Sequence, residues 1–180
     1  MEYSSETEWS TCTLASIAVS RFASADKEFD HQGLWKVAYF MCKALNKVID
    51  VNKAPCKEAA EGSRRHRYIG IGLQGLADAL IEMMLPFESA EAKKLSTEVT
   101  ETILNGAVEA SIDLAARDGP YETYEGSPAS RGLLQFDLVT LHAHSHARHH
   151  WWLRVRNDKK TLLTLPVVVL FCLGVFYLSS

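Results

Sequence analysis

The stretch RHRYIGIGLQGLADAL, residues 65–80, decides the fold, because it joins a basic run, a glycine-rich segment and a helical pattern. Gly70, Gly72 and Gly75 formally match the G-x-G-x-x-G pattern of dinucleotide-binding sites. Such a site needs a buried strand before the glycines and an acidic residue about twenty positions later. Here the preceding residues are basic, and the acidic candidate Glu88 follows a proline. The stretch therefore favours a helix that begins at Gly72 and packs tightly through its glycines over a nucleotide site.

Helical periodicity also occurs on the N-terminal side of this stretch. Residues 34–49 place apolar side chains at helical spacing, which predicts an amphipathic helix. The short apolar segment 11–19 is consistent with a strand or with the start of a helix. Pro55 and the polar residues that follow it, up to Arg67, predict an irregular connection.

On the C-terminal side, the sequence predicts a long helix. The helix that begins at Gly72 is expected to end at Met84, before Pro86. Ser89 is a suitable N-cap for a helix over residues 90–117, and the Asp-Gly-Pro sequence that follows would terminate it. The result is a mostly helical segment with two or three short strands. Periodicity leaves open whether it is a helix bundle or part of a larger α/β barrel.

Composition divides the chain into three parts. Residues 1–139 have the character of a folded domain, residues 140–160 form a histidine-rich and basic connector, and residues 161–180 form an apolar tail. The formal net charge of −3 gives no reason to expect nucleic-acid binding. The acidic, polar N-terminal segment does not resemble a secretory signal. We therefore expect a reducing compartment, where a reactive cysteine does redox work.

Two features of the C-terminal part have alternative interpretations. Histidines at short spacing can share a metal ion, but a low-complexity connector is the simpler interpretation; they are His142, His144, His146, His149 and His150. From Leu162 to Leu178, 17 nearly uncharged residues reach the lower limit for crossing a bilayer. Basic and tryptophan residues precede them, as in a cytoplasmic membrane flank. The tail is either a membrane anchor or sequence unrelated to the rest of the chain.

Basic residues and cysteines are the remaining candidates. Residues 64–67, Arg-Arg-His-Arg, with Lys57 nearby, can bind a phosphate or an acidic partner. The alternatives are a solvated turn, or buried ion pairs with the rest of a larger protein. The cysteines have neither close pairing nor zinc-site spacing, which argues against a disulfide framework or structural zinc; they are Cys12, Cys42, Cys56 and Cys172. Taken alone, Cys12 is either a small buried hydrophobe or a reactive thiol.

Several long segments, in order, carry a family resemblance. They are CTLASIAV (residues 12–19), LNKVIDVNKAP (45–55), RHRYIGIGLQGLADAL (65–80), PFESAEAKKL (86–95) and GPYETYEGSPASRGLLQFD (119–137). Residues 1–137 thus resemble a central block of the large, catalytic subunit of class I ribonucleotide reductase. The resemblance implies an α/β fold, as a mostly helical part of that family's ten-stranded α/β barrel. It ends after Asp137, which implies an unrelated C-terminal tail.

The resemblance also implies an activity, the reduction of ribonucleoside diphosphates to deoxyribonucleotides for DNA synthesis in the cytoplasm. Cys12 matches one member of the cysteine pair that supplies electrons, although Thr13 stands where the family generally has asparagine. Thioredoxin or glutaredoxin restores that pair. The family also uses ATP and deoxynucleotide effectors, a small radical-generating subunit and a dimer of large subunits.

The family's radical-bearing cysteine lies in an Asn-x-Cys-x-Glu element, expected immediately before Glu2. We therefore expect the chain alone to be inactive and to bind no metal or cofactor itself. The alternative is a non-catalytic, tail-anchored interaction protein built on a reductase segment.

Overall fold

A computed structural model describes residues 4–133. The elements, in chain order, are β1 (Thr13–Ala18), a 3-10 turn (Val19–Phe22), α1 (His31–Val51), α2 (Lys57–His66), β2 (Ile69–Gln74), α3 (Leu76–Glu82), α4 (Ala90–Asp118) and a second 3-10 turn (Ala129–Arg131). Helix dominates this part of the chain, and the class is α/β, as expected.

The two strands form a parallel pair. Thr13 is paired with Ile69 at one end and Ala18 with Gln74 at the other. Parallel neighbours need a long crossover connection, and here α1 and α2 supply it. This arrangement favours part of an α/β barrel over a helix bundle.

The hydrophobic core lies where α1 packs between the strand pair and α4. Helix α1 contributes Leu34, Ala38 and Cys42, all without exposed surface. Ile17 and Ile71 extend the same core from the strands, and α4 faces it with Val99, Ile103, Ala107 and Ala110. Gly106 lies at the crossing of α4 over α1, against the backbone of Trp35 and Tyr39.

The predicted irregular connection between Pro55 and Arg67 is wrong, because most of it is helix α2. The buried side of α2 consists of Ala59 and Gly62 only. A search for large apolar side chains at helical spacing cannot find such a face. Most of the remaining positions are charged or polar, so the segment resembles a loop.

The predicted helix start at Gly72 is also wrong. Residues Ile69–Gln74 form strand β2, which is buried in its first half, and helix α3 begins only at Leu76. Gly75 adopts a φ of 73° at the junction, a left-handed conformation that favours glycine. Gly70 and Gly72 therefore lie within the strand rather than after it. The dinucleotide-binding geometry requires the opposite, so the structure does not form it.

The other expected elements are confirmed. Helix α1 covers the predicted 34–49 and extends it at both ends. The Ser89 side chain caps α4 by accepting a hydrogen bond from the backbone N–H of Ala92 at 3.1 Å. Segment 11–19, for which strand and helix were both open, contains strand β1.

Candidate functional site

Cys12 lies directly before β1, at the end where the two parallel strands begin. Its side chain is exposed, so the interpretation as a small buried hydrophobe is wrong. Thr13, the next residue, is the first to pair with β2, opposite Ile69. Cys12 therefore connects the N-terminal segment, which precedes it, to the strand pair, which follows it.

The N-terminal segment, residues 4–12, rests on helix α2. The backbone N–H of Trp9 donates to the carbonyl oxygen of Glu58 at 3.0 Å. The hydroxyls of Thr11 and Ser63 form a hydrogen bond with each other. Gly62 lies so close to the Trp9 carbonyl that a Cβ at this position would collide with it. The segment thus approaches the helix to a distance that only glycine permits.

Glu8 fixes the same segment to the last turn of α2. Its carboxylate forms an ion pair with Arg65 and a 2.7 Å hydrogen bond with His66 Nε2. The Glu8 side chain is only 12% exposed. A carboxylate so shielded from water is stable only when it is paired, and both partners come from α2.

The loop after α4 contacts the same turn of α2. Glu122 accepts hydrogen bonds at 2.8 Å from Arg64 Nη1 and from Arg65 Nε. Thr123 Oγ1 lies 2.8 Å from His66 Nδ1. We call the five residues Glu8, Arg65, His66, Glu122 and Thr123 the Glu8 clasp. It joins the N-terminal segment, the end of α2 and the loop after α4.

The predicted basic cluster therefore consists mainly of ion pairs within this chain. Arg64 and Arg65 form the pairs described above. Arg67 forms an ion pair with Asp50 at 2.8 Å and donates hydrogen bonds to the backbone and side-chain carbonyl oxygens of Asn46. Of the alternatives, ion pairs are the one that the structure supports, but the carboxylate partners lie within this chain and not in the rest of a larger protein. Hydrogen bonds from Arg65 and then Arg64 lower the pKa of Glu122.

Burial, and then the positive charge of Arg65, lower the pKa of His66, although Glu122 opposes them. The Glu8 carboxylate also faces the ring, but Arg65 shares its charge. The lowered pKa favours the neutral imidazole at pH 7. Since a carboxylate only accepts hydrogen bonds, the proton lies on Nε2, and Nδ1 accepts from the Thr123 hydroxyl.

This pKa shift predicts a pH dependence of stability. His66 has an ordinary pKa of 6.5 when unfolded and a lower one in the fold, so the unfolded chain takes up the proton first. The free energy of unfolding should fall as the pH drops below about 6.5. The measurement is urea unfolding of the wild type and of His66→Gln at about pH 7.5 and about pH 5.5. The variant should lose less stability than the wild type between the two; an equal loss would contradict the assignment.

The other two cysteines in residues 4–133 are less accessible than Cys12. Cys42 lies in the core, and burial raises the pKa of its thiol to about 12, so it stays protonated and unreactive. Cys56 is half-buried at the start of α2. Of the three thiols, Cys12 is therefore the one best placed for exchange chemistry.

The C-terminal candidates fall outside the described residues. They are Cys172, the histidines from His142 to His150, and the apolar segment from Leu162 to Leu178. The three-part division of the chain also stays a prediction for that reason. Within residues 4–133, no helix has the length and apolar character to span a bilayer. The same residues contain no group of three or more metal-binding side chains.

Comparison with known proteins gives one consistent result. Residues 1–162 match the family model described as "Ribonucleotide reductase, barrel domain", a match that continues beyond Asp137. The chain is 51% identical over 138 residues to the ribonucleoside-diphosphate reductase large subunit of Danio rerio and 50% identical to that of Caenorhabditis elegans. The protein of the same name from Trypanosoma brucei brucei is 53% identical. Each alignment covers 77% of this chain but only 16–18% of the relative.

Proposed function

Because this chain belongs to the ribonucleotide reductase barrel-domain family, we propose that it carries part of the machinery that reduces ribonucleoside diphosphates. The observation that carries the proposal is the position of Cys12. It is an exposed thiol at the start of a parallel strand pair, and the family resemblance assigns this position to the reducing cysteine pair. The chain spans about 17% of the length of the Danio rerio relative, so the whole enzyme's activity is itself part of the proposal.

In the proposed step, Cys12 and a second cysteine, outside residues 4–133, act together as a dithiol. The ribose C2′–O bond breaks and its oxygen leaves as water. The two thiols give up two electrons and two protons and become a disulfide. One ribonucleotide and one dithiol thus yield one deoxyribonucleotide, one disulfide and one water. A dithiol protein such as thioredoxin or glutaredoxin then reduces the disulfide by exchange.

The proposal places the initiating radical on another residue. The printed sequence contains no Asn-x-Cys-x-Glu element, so we expect no turnover from this polypeptide by itself. The name "large subunit" of the relatives supports an assembly with a smaller subunit. The family resemblance implies that this assembly is cytoplasmic, that the small subunit generates the radical, and that a second large subunit takes part. ATP and deoxynucleotides would act on that assembly as effectors. The net charge of −3 gives no support to a nucleic-acid partner.

A chimera tests the role of Cys12. Residues 4–133 replace the matching block of the Danio rerio large subunit, and the chimera is assayed with CDP and the small subunit, without an external dithiol. We expect roughly one dCDP per active chain, with a matching amount of disulfide. The reaction is stopped in denaturant with an alkylating reagent, and the cysteines are mapped by mass spectrometry.

Cys12 should escape alkylation until a reductant is added, whereas Cys42 and Cys56 should be alkylated at once. The proposal fails if dCDP forms while Cys12 remains a free thiol. It also fails if the chimera is inactive with thioredoxin although the unmodified relative is active.

A further inference from the structure

We propose that Glu8 is a positioning residue for Cys12. Through Arg65 and His66, it fixes the segment that ends in Cys12 onto the last turn of α2. The thiol is thereby held in a set place at the start of the strand pair. The inference deepens the proposed function and rests on it, because a fixed position matters only if Cys12 exchanges electrons with a substrate and a second thiol.

The clasp acts at the point where both strands begin. Glu8 lies four residues before Cys12 and contacts the helix turn that leads into β2. Between that turn and the strand, Arg67 adopts a left-handed φ of 52°, held by its bonds to Asp50 and Asn46. The helix end is therefore fixed on both sides. A segment attached to it keeps its position relative to β2 as well as β1.

Two further contacts lie along the segment between Glu8 and Cys12. Trp9 bonds the α2 backbone, and the Thr11 hydroxyl bonds Ser63. Both are single hydrogen bonds of the kind that contributes about 1 kcal/mol each. The Glu8 ion pair is the strongest of these contacts because it is charged and mostly shielded from water. Its loss should loosen the segment more than the loss of either hydrogen bond.

Disulfide chemistry explains why order at Cys12 matters. A disulfide requires the two Cα atoms to lie within about 4.4–6.8 Å of each other, with a narrow range of torsion angles. A displacement of about 1 Å at a reacting group can lower a rate a hundredfold. An exposed thiol on a loose segment meets this requirement only part of the time. The Glu8 clasp increases the fraction of time that the thiol spends in the required position, and it does so without contacting the substrate.

The test measures order at Cys12 in the full chain. Cys56 and Cys172 are replaced by serine, and a methanethiosulfonate nitroxide is attached to Cys12 for electron paramagnetic resonance. Cys42 is fully buried and should stay unlabelled as long as the core is folded. Glu8→Gln removes the charge of the clasp. Glu6→Gln is the matched control, because Glu6 is an exposed glutamate in the same segment.

We expect an immobilised spectrum in the wild type and in Glu6→Gln. In Glu8→Gln the rotational correlation time should fall at least about threefold, with Cys42 still protected. A Glu8→Gln spectrum equal to that of Glu6→Gln overturns the proposal. If Glu8→Gln exposes Cys42, Arg65→Gln is decisive, since it removes the charged partner of Glu8 and leaves His66. A mobile label with Cys42 protected supports the clasp, and an immobilised label overturns it.

These measurements do not depend on reductase activity, so the clasp and the proposed function can fail separately. If the chimera is inactive but the label on the full chain becomes mobile in Glu8→Gln, the proposed function is refuted and the clasp remains. If the chimera is active but the mobility of the label on the full chain is the same in Glu8→Gln as in the wild type, the clasp is refuted and the proposed function remains.

Discussion

Gly106→Ala should destabilise the fold by about 2 kcal/mol, although alanine is the better helix former. A Cβ at Gly106 would lie 2.6 Å from the carbonyl oxygen of Trp35, 3.1 Å from the Ala38 Cβ and 3.1 Å from the backbone nitrogen of Tyr39. Two of these atoms belong to the α1 backbone, so no side-chain rotation relieves the collision. The helices must separate, and the core that α1 shares with α4 must loosen.

The measurement is urea unfolding of the full chain, followed by circular dichroism. Gly72→Ala is the matched control, because a Cβ there meets only Ser16 Oγ at 3.6 Å and the Ala15 carbonyl oxygen at 3.9 Å, which is ordinary contact. We expect the control to unfold at nearly the wild-type midpoint or slightly above it. Alanine lowers the conformational entropy of the unfolded chain, which can raise the free energy of unfolding by about 0.4–1 kcal/mol. A Gly106→Ala midpoint equal to that of the wild type would show that the helices do not cross as described.

The elements that the sequence predicts well are those with local signals. Helices α1 and α4 bury large apolar side chains at regular spacing, and Ser89 marks the start of α4. Helix α2 has no such signal, because Ala59 and Gly62 form its buried side. Strand β2 was mistaken for a helix start because glycine is rare inside strands and the strand's buried half has no alternating pattern.

The candidate site also combines residues that the sequence indicates with contacts that only the fold creates. Cys12 was found through a family resemblance, and neither its exposure nor its place at the start of the strand pair follows from its immediate neighbours. Ion pairs of the basic cluster are one of several alternatives that the sequence offers, and that interpretation places their partners in a larger protein rather than in this chain. Glu8 and Glu122 lie 57 residues from Arg65 on either side, so only the folded chain brings them together. One usable signal is the need for carboxylates near the three arginines of residues 64–67, which precede a buried strand.

The sequence does not indicate the contacts of His66, or any role for Thr123, for a related reason. A histidine within a basic run usually faces solvent, and the sequence offers no sign that this one stacks on Tyr68 and bonds Glu8. Its neutral state follows from burial and from Arg65, which are properties of the fold. Long-range polar contacts of this kind have no periodicity to detect.

Cys12→Ala should abolish reductase turnover in the chimera that carries residues 4–133. Without this thiol, the proposed dithiol cannot form a disulfide, and no other cysteine of the described residues can replace it. Cys42 is buried in the core, and Cys56 occupies the N-cap position of α2, whereas the C-terminal end of that helix leads into β2. The substitution removes an exposed side chain, so it should leave the unfolding midpoint of the chimera unchanged.

The most direct test of the proposed role of Cys12 is the steady-state rate of dCDP formation by this chimera, with thioredoxin and the small subunit present. Cys56→Ala is the matched control, since the Cys56 side chain makes no capping hydrogen bond. We predict a loss of at least about a thousandfold for Cys12→Ala and a change of less than about threefold for Cys56→Ala. A Cys12→Ala chimera that keeps the rate of the control would contradict the assignment of Cys12 to the reducing pair.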